Sequence, residues 1–267
     1  MSCDIVERMV GGEKISIGMV HTQPLPGSLH HRLPVEKIIA LAVMDAKNLE
    51  AAGFDAIIVE NVNDAPYGVE PVSRQKVAAM ACICAKVREA VSIPVGIDTC
   101  GDQLAGFDVG SMTGITFIRQ SYMVDIAVTA RGLCLPSGGE AVLYRKRIGA
   151  ENIKIFADIQ VKHSYPLLPE IPLETSARWA VSAGADVLIV TGAETGKETS
   201  AEALQRVRSV ASVPVVAGSG VTAENVGAQY AVCDGAIIGS SLKRDRLLTS
   251  PIDPLLAEQF MAAVKAL

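Results

Sequence analysis

The sequence has few aromatic residues and no long apolar run. Only 4% of its 267 residues are aromatic, and it contains a single tryptophan. No apolar stretch reaches the roughly 20 residues that a membrane-spanning helix needs, so we predict no membrane span. The N-terminal residues include Asp4 and Glu7 and form no apolar signal-peptide core, so we expect a cytoplasmic protein.

A surplus of basic residues is also missing. Lysine and arginine total 24 against 29 acidic residues, which gives a formal net charge of −5. No basic stripe with interleaved aromatic residues is present, so we expect no nucleic-acid partner. A homo-oligomer is compatible with this composition.

The six cysteines lack the spacing of a zinc motif or a redox motif. Cys82 and Cys84 lie two residues apart in a predicted helix and cannot pair with each other. No Cys-x-x-Cys pair and no Cys/His zinc spacing occurs. We therefore interpret the cysteines as reduced thiols of a cytosolic protein.

Short β-branched runs alternate with helical patterns along the whole chain. The apolar residues are mostly Ala, Val, Ile and Leu, as parallel strands buried on both faces require. The length is close to the ~250 residues typical of one (β/α)8 barrel. We predict a single (β/α)8 TIM-barrel domain over residues 1–267, with a doubly wound sheet as the alternative. The eight predicted strands are Ile15–His21, Ala56–Asn61, Pro94–Asp98, Ile115–Gln120, Lys154–Lys162, Val187–Thr191, Val213–Gly218 and Ala236–Gly239.

Related turns precede three of these strands. They contain Ala52-Gly53-Phe54-Asp55, Ala183-Gly184-Ala185-Asp186 and Val232-Cys233-Asp234-Gly235. Glycine just after a helix suits a helix C-cap. This recurrence favours a repeated βα unit over two separate domains.

Small residues follow the last two predicted strands and indicate a phosphate site. Such turns expose backbone N–H groups, and the loops after strands 7 and 8 of a barrel often hold a phosphate. We predict that phosphate is bound by Gly218, Ser219, Gly220, Gly239 and Ser240. A phosphorylated small molecule is the expected partner.

Polar residues lie at the carboxyl ends of the other strands, where barrel active sites form. The catalytic candidates are Lys162, Asp158, Glu60, His21 and Asp98. The substrate-binding candidates are Arg119, Asn61, Thr191 and Gly192. Two long loops, Ser121–Val142 and His163–Pro172, are predicted at the same end.

Each candidate has a structural alternative. Strand alternation predicts that Asp158, Gln160 and Lys162 share one face. Lys162 could form a Schiff base, stabilise an enolate or a carboxylate, or simply make an ion pair with Glu60 or Asp98.

The remaining candidates also have two interpretations. His21 could act in acid–base catalysis or only hydrogen-bond Glu60 or a loop carbonyl. Arg119 could bind a substrate carboxylate or a second phosphate, or it could only clamp Glu60 or Asp98. No cofactor is predicted, although Glu60 and Asp98 could form an acid–base pair or hold a divalent metal with water.

Several motifs, in one order from about residue 12 to 262, resemble the BtpA/SgcQ family. They are Gly18-Met19-Val20-His21 with Pro24-Leu25-Pro26-Gly27, Val59-Glu60-Asn61 with Asp64-Ala65-Pro66, Phe117-Ile118-Arg119, Ala157-Asp158 through Val161-Lys162-His163, Val190-Thr191-Gly192-Ala193 with Thr195-Gly196, Gly218-Ser219-Gly220-Val221 with Glu224-Asn225, and Gly239-Ser240-Ser241-Leu242-Lys243.

The resemblance implies a ribulose-phosphate-binding barrel. The family takes its name from a role in photosystem I biogenesis, SgcQ-type members belong to sugar-utilisation gene sets, and no settled reaction comes with it. One departure is Cys100-Gly101-Asp102, where the family usually has Arg-Asn-Asp after strand 3.

The leading hypothesis is an enzyme that acts on a phosphorylated sugar or a similar metabolite, as an isomerase, an epimerase or an aldolase-type lyase. The alternatives are a non-catalytic assembly or stability factor on the same barrel and a metal-dependent phosphate-ester hydrolase.

Overall fold

Eight parallel strands close into a barrel, which confirms the predicted fold class. The computed structural model describes residues 4–67, 72–100, 102–192 and 196–267, without the side chain of Gln103. The barrel strands are β1 (Ile15–His21), β2 (Ala56–Glu60), β3 (Val95–Asp98), β4 (Phe117–Gln120), β7 (Lys154–Ile159), β9 (Val187–Val190), β10 (Val215–Ala217) and β11 (Gly235–Ile238). Each strand pairs with its neighbour in this sequence, and β11 pairs with β1 to close the barrel.

One helix precedes the first strand, and the other helices lie outside the barrel between or after its strands. In chain order the helices are α1 (Ile5–Val10), α2 (Val35–Ala52), α3 (Arg74–Ala90), α4 (Gln103–Thr113), α5 (Gly138–Arg147), α6 (Leu173–Ser182), α7 (Ala201–Arg208), α8 (Val226–Tyr230) and α9 (Pro254–Lys265), with 3-10 turns at Val62–Asp64 and Ser240–Leu242. Within the described ranges, we find no helix with the length and apolar character that a membrane crossing requires.

The repeated aspartates hydrogen-bond to neighbouring strands at the amino end of the barrel. Gly53 and Gly184 adopt φ angles of +100° and +98°, which glycine allows at the helix ends. The carboxylates that follow accept hydrogen bonds from strand amides, Asp55 from Ser16 N at 2.9 Å and Asp186 from Ile155 N at 2.8 Å. Asp234 makes the same bond to Val215 N at 2.9 Å. Each repeated turn therefore links the strand that it precedes to the neighbouring strand through its aspartate.

The interior of the barrel is filled by side chains and is closed at its amino end. Phe117 and Phe156 stack inside, with ring centroids 4.5 Å apart. Ile5 and Met9 of α1 pack against the same interior cluster. The second and larger apolar layer lies between the strands and the surrounding helices. Among the described residues, the carboxyl end of the barrel is the end left open for a site.

The two long loops pair with each other. Strands β5 (Ala127–Thr129) and β6 (Gly132–Cys134) from the first loop and β8 (Tyr165–Pro166) from the second form an antiparallel sheet in the order β6-β5-β8. We call this three-stranded sheet the cap.

The cap is tied to the barrel through Asp125. This carboxylate accepts hydrogen bonds from Gln160 N at 2.8 Å and from Ser176 Oγ at 2.6 Å.

Candidate active site

A cavity of about 980 Å³ lies at the carboxyl ends of the strands, beneath the cap. Ten of the fourteen predicted site residues line it: His21, Glu60, Asp98, Arg119, Lys162, Gly218, Ser219, Gly220, Gly239 and Ser240. The other four, Asn61, Asp158, Thr191 and Gly192, do not belong to its described lining. The glycine turns and the ionisable side chains thus share one space.

His21 and Glu60 form a buried pair on neighbouring strands. Their backbones are in register, and His21 Nε2 lies 3.2 Å from Glu60 Oε2. Burial lowers the pKa of His21, although Glu60 opposes this shift. Burial alone would raise the pKa of Glu60, but the hydrogen bond from His21 and the nearby charges lower it to about 2. At neutral pH the pair is therefore a neutral imidazole held by a carboxylate.

The second nitrogen of His21, Nδ1, is buried and makes no hydrogen bond to the described residues. Because Nε2 faces Glu60, Nδ1 carries the lone pair in the tautomer that this bond favours. His21 therefore has the arrangement of an oriented base.

Asp98 lies beside Glu60, and the two carboxylates share the end of the β2–β3 pair. Their backbones are in register. Burial and the charge of Glu60 raise the pKa of Asp98 well above its usual range. The Asp98 side chain is 3% exposed, and its Oδ1 has no hydrogen-bond partner among the described residues.

Arg119 and Asp158 bind each other at the base of the site. Arg119 donates from Nε to Oδ2 of Asp158 at 2.8 Å and from Nη2 to Oδ1 at 2.9 Å. Arg119 Nε also lies 3.9 Å from Asp98 Oδ2. We propose that Asp158 positions Arg119, because both of its oxygens are already in use. The catalytic role predicted for Asp158 remains a prediction.

Lys162 lies just beyond β7, close to the loop that follows β10. Its Nζ is 3.5 Å from the Gly218 carbonyl oxygen and makes no ion pair with a carboxylate in the described ranges. Burial and the charge of Arg119 lower the pKa of Lys162. The partly buried ammonium is therefore a better acid than an exposed lysine.

The predicted alternation along the fifth strand is wrong at Gln160. The strand ends at Ile159, and Gln160 adopts a φ of +44°. Its side-chain amide turns outward and donates to Ile171 O at 3.0 Å. Lys162 reaches the cavity because this turn redirects the chain.

The loops after β10 and β11 offer unused backbone amides. The N–H groups of Gly220, Val221, Ser240 and Ser241 make no hydrogen bond to any described residue, and all four residues line the cavity. The Ser219 hydroxyl is already engaged, since it accepts from Gly192 N at 2.7 Å and donates to Lys197 O at 3.0 Å. The amides, rather than this hydroxyl, are available to an anion.

Close packing explains the glycine at position 220. Gly220 has a φ of +68°, and a Cβ there would lie 2.3 Å from Glu198 N. Only glycine allows the loop to approach this backbone.

Three of the predicted substrate-binding residues hydrogen-bond to neighbouring loops, and their role in substrate binding remains a prediction. Asn61 donates to Asp64 Oδ2 at 3.0 Å and accepts from Cys100 N at 2.8 Å. Thr191 Oγ1 accepts from Lys162 N at 3.0 Å, and Gly192 N binds the Ser219 hydroxyl. The residues that follow Gly192 in the family motif, Ala193, Glu194 and Thr195, lie outside the described residues.

We did not predict Cys100 as a potential ligand from the sequence. Cys100 lines the cavity, and its Sγ lies 3.6 Å from Glu60 Oε1. Burial and the charges of Asp98 and Glu60 raise its pKa well above the usual range. Its position two residues beyond the end of β3 could have indicated that Cys100 lies at the cavity.

Lys243 is a second residue whose role the sequence did not reveal. It is 1% exposed, and its Nζ donates to the Leu248 carbonyl oxygen at 2.6 Å. That oxygen also accepts from Asn63 Nδ2 at 3.3 Å, so both bonds hold the loop that carries Leu248 and Thr249 beside the cavity.

Lys243 makes the stability of the protein depend on pH. Burial lowers its pKa to about 8, whereas the unfolded chain keeps the ordinary value of 10.5. Between these values the unfolded state binds more protons, so stability rises with pH. We expect wild type to gain up to about 1.4 kcal/mol per pH unit between pH 8 and 10 relative to Lys243→Met. Urea unfolding across this range measures the difference, and parallel curves for the two proteins would contradict it.

The motif resemblance is matched by comparison with known proteins. The sequence profile of the BtpA family matches residues 12–266. The chain belongs to the BtpA family.

Two relatives illustrate the family's range. An uncharacterized protein of Methanocaldococcus jannaschii is 36% identical over 243 residues, which cover 90% of this chain and 91% of that protein. The photosystem I biogenesis protein BtpA of Synechocystis is 34% identical over 252 residues, which cover 93% of this chain and 87% of that protein. The predicted family is thus confirmed.

Solved structures with the same architecture have little sequence identity to this BtpA-family chain. The (S)-3-O-geranylgeranylglyceryl phosphate synthase of Thermoplasma acidophilum, in complex with sn-glycerol-1-phosphate, matches with a TM-score of 0.62 and 16% identity, over 100% of both chains. Phosphoribosyl anthranilate isomerase of Thermus thermophilus matches with a TM-score of 0.59 and 12% identity, over 94% of this chain and 98% of that chain. These matches show a shared barrel fold.

Proposed function

We propose that this BtpA-family protein is an enzyme that binds a phosphorylated carbonyl compound and moves a proton at the carbon beside the carbonyl. The phosphate is bound by the backbone amides of Gly220, Val221, Ser240 and Ser241. Support comes from the unused hydrogen-bonding capacity of these amides in a cavity that also contains acid–base groups. Two structural neighbours are named for phosphorylated compounds, and one was solved with sn-glycerol-1-phosphate.

The proton transfer uses two groups in the cavity. His21 Nδ1 accepts the proton from carbon, while Glu60 holds the imidazole through Nε2. Lys162 donates a proton or a hydrogen bond to the carbonyl oxygen, where negative charge develops. Removal of this proton begins an isomerisation or an epimerisation. In a retro-aldol cleavage, His21 would instead take the proton of the β-hydroxyl while the C–C bond breaks and then return it to the enolate carbon, so the reaction class follows from the rest of the substrate.

One observation carries this proposal. The unused amides after β10 and β11 line the same cavity as His21, Glu60 and Lys162. A small phosphorylated molecule bound by the amides would therefore place its carbon skeleton beside the ionisable groups.

Inorganic phosphate tests the anion site directly. A ligand at a hundredfold excess over its Kd stabilises a protein by about 2.7 kcal/mol, so we expect phosphate to raise the Tm by several degrees. Ser240→Asp should abolish this shift, because its carboxylate repels the anion. Ser240→Asn has nearly the same shape without the charge and should keep it. Equal shifts in the two variants, or none in wild type at matched ionic strength, would overturn the anion site.

The name of the Synechocystis relative favours a second candidate function. That protein is a photosystem I biogenesis protein and is 34% identical to this chain. A factor in assembly or stability could keep the barrel and its anion site without turnover. Solvent deuterium exchange at the carbon beside the carbonyl distinguishes the two functions, because a scaffold has no need of proton transfer.

A further inference from the structure

Three metal-binding side chains converge at the ends of β2 and β3. Glu60, Asp98 and Cys100 each offer one ligand atom, and these atoms all lie within 4.8 Å of one another. Glu60 and Asp98 are in register across the strand pair, and Cys100 follows β3 by two residues. All three residues line the cavity.

The spacing suits a small tetrahedral cation. With Zn–S of about 2.3 Å and Zn–O of about 2.1 Å, the sulfur–oxygen edge of a tetrahedron is roughly 3.6 Å. Cys100 Sγ and Glu60 Oε1 are 3.6 Å apart. The thiol and the carboxylate therefore have a separation that a shared zinc ion would require.

A second observation points to a ligand for this cluster. Asp98 is 97% buried, yet its Oδ1 has no hydrogen-bond partner in the described chain. A buried carboxylate oxygen without a partner carries a large desolvation cost. In addition, two carboxylates side by side in the protein interior need a proton or a cation between them. A metal ion would satisfy both requirements at once.

We propose that Glu60, Asp98 and Cys100 form a binding site for a thiolate-accepting divalent cation of the zinc class. The sulfur ligand disfavours magnesium and calcium, which prefer oxygen. Three protein ligands leave one position for water or substrate, as in catalytic zinc sites. Binding would release the thiol proton and the carboxyl proton to solvent.

The surroundings contain groups that favour a cation and groups that oppose it, and the charges of Arg119 and Lys162, which act on Glu60, are among the latter. His21 Nε2 lies 3.2 Å from Glu60 Oε2 and would orient this ligand from the second shell. Arg119 opposes a cation, because its Nε is 3.9 Å from Asp98 Oδ2. Its charge is, however, already paired with both oxygens of Asp158.

The metal site goes beyond the proposed function, which requires no metal. A bound cation would supply Lewis-acid polarisation of an oxygen in the same cavity. Its test contains no phosphate, so failure of the metal site and failure of the anion site give different results.

Cobalt(II) is the probe, because a thiolate ligand gives it a charge-transfer band in the near ultraviolet. Protein dialysed against a chelator and titrated with Co²⁺ should develop this band, together with tetrahedral d–d bands, at one equivalent. Cys100→Ser should abolish the charge-transfer band, and Asp98→Asn should weaken binding by at least about tenfold. Cys82→Ser, on the exposed face of α3, is the matched control and should keep the full spectrum. A band that persists in Cys100→Ser, or no binding in wild type, would overturn the proposal.

A measurement on the wild-type protein keeps the test valid even if Cys100→Ser fails to fold. Cys100 is partly exposed to the cavity, whereas Cys82 is exposed on the surface. Zn²⁺ should slow alkylation of Cys100 by iodoacetamide at least tenfold, as mapped by mass spectrometry. Alkylation of Cys82 should be unchanged in the same sample. Equal alkylation of Cys100 with and without Zn²⁺ would contradict the site.

Discussion

Replacing His21 by glutamine is expected to slow proton transfer at carbon by about 10²–10⁴-fold, the usual contribution of a general base. Glutamine can still hydrogen-bond Glu60 but cannot take a proton from carbon. The measurement is solvent deuterium exchange at the carbon beside the carbonyl, followed by NMR with a panel of aldose and ketose phosphates.

The control variants isolate the role of the base. Cys82→Ser changes an exposed thiol on α3, outside the cavity lining, and should exchange at the wild-type rate. Lys162→Met should also slow exchange, because the carbonyl oxygen loses its proton donor. His21→Gln with an unchanged rate would contradict the role of His21. Absence of exchange in wild type with every member of the panel would favour the assembly-factor function.

Asp158→Ala is expected to destabilise the fold by roughly 3–5 kcal/mol, because it leaves a buried guanidinium without its partner. Arg119 is only 5% exposed, and Asp158 is fully buried. Both hydrogen bonds of the pair would be lost, and the 3.9 Å approach to Asp98 would not replace them. Urea unfolding gives the change in the free energy of unfolding.

A double variant tests the cause of that loss. Replacing both partners of a buried ion pair by apolar residues of similar size is often nearly neutral. We therefore expect Arg119→Met combined with Asp158→Leu to be more stable than either single replacement. The double variant could instead lose as much unfolding free energy as the two single variants together. The side chains would then not be coupled, and the assignment of Asp158 as the positioning partner of Arg119 would fail.

The barrel could be predicted because its local signals repeat. The apolar strand runs and the turns that contain Asp55, Asp186 and Asp234 indicate successive βα units. The structure shows why the aspartates recur, since each accepts a bond from a neighbouring strand amide. The position of the cavity could be predicted from the strand ends, because side chains at the carboxyl ends of parallel strands meet at one end of a barrel.

The roles of individual polar residues could not be read from position alone. Asn61 and Thr191 lie at strand ends as predicted, yet they bind neighbouring loops. Arg119 binds Asp158 on the next barrel strand, and this pairing depends on distances across the sheet. The turn at Gln160 has a positive φ in a residue other than glycine, which no local pattern indicates. The cap likewise depends on pairing between two distant loops.

A crystal structure grown with inorganic phosphate tests the central claim most directly. The account predicts one phosphate within hydrogen-bond distance of the amides of Gly220, Val221, Ser240 and Ser241, on the side of the cavity that faces Lys162. Phosphate bound only on the outer surface, with these amides bonded to other protein groups, would contradict it.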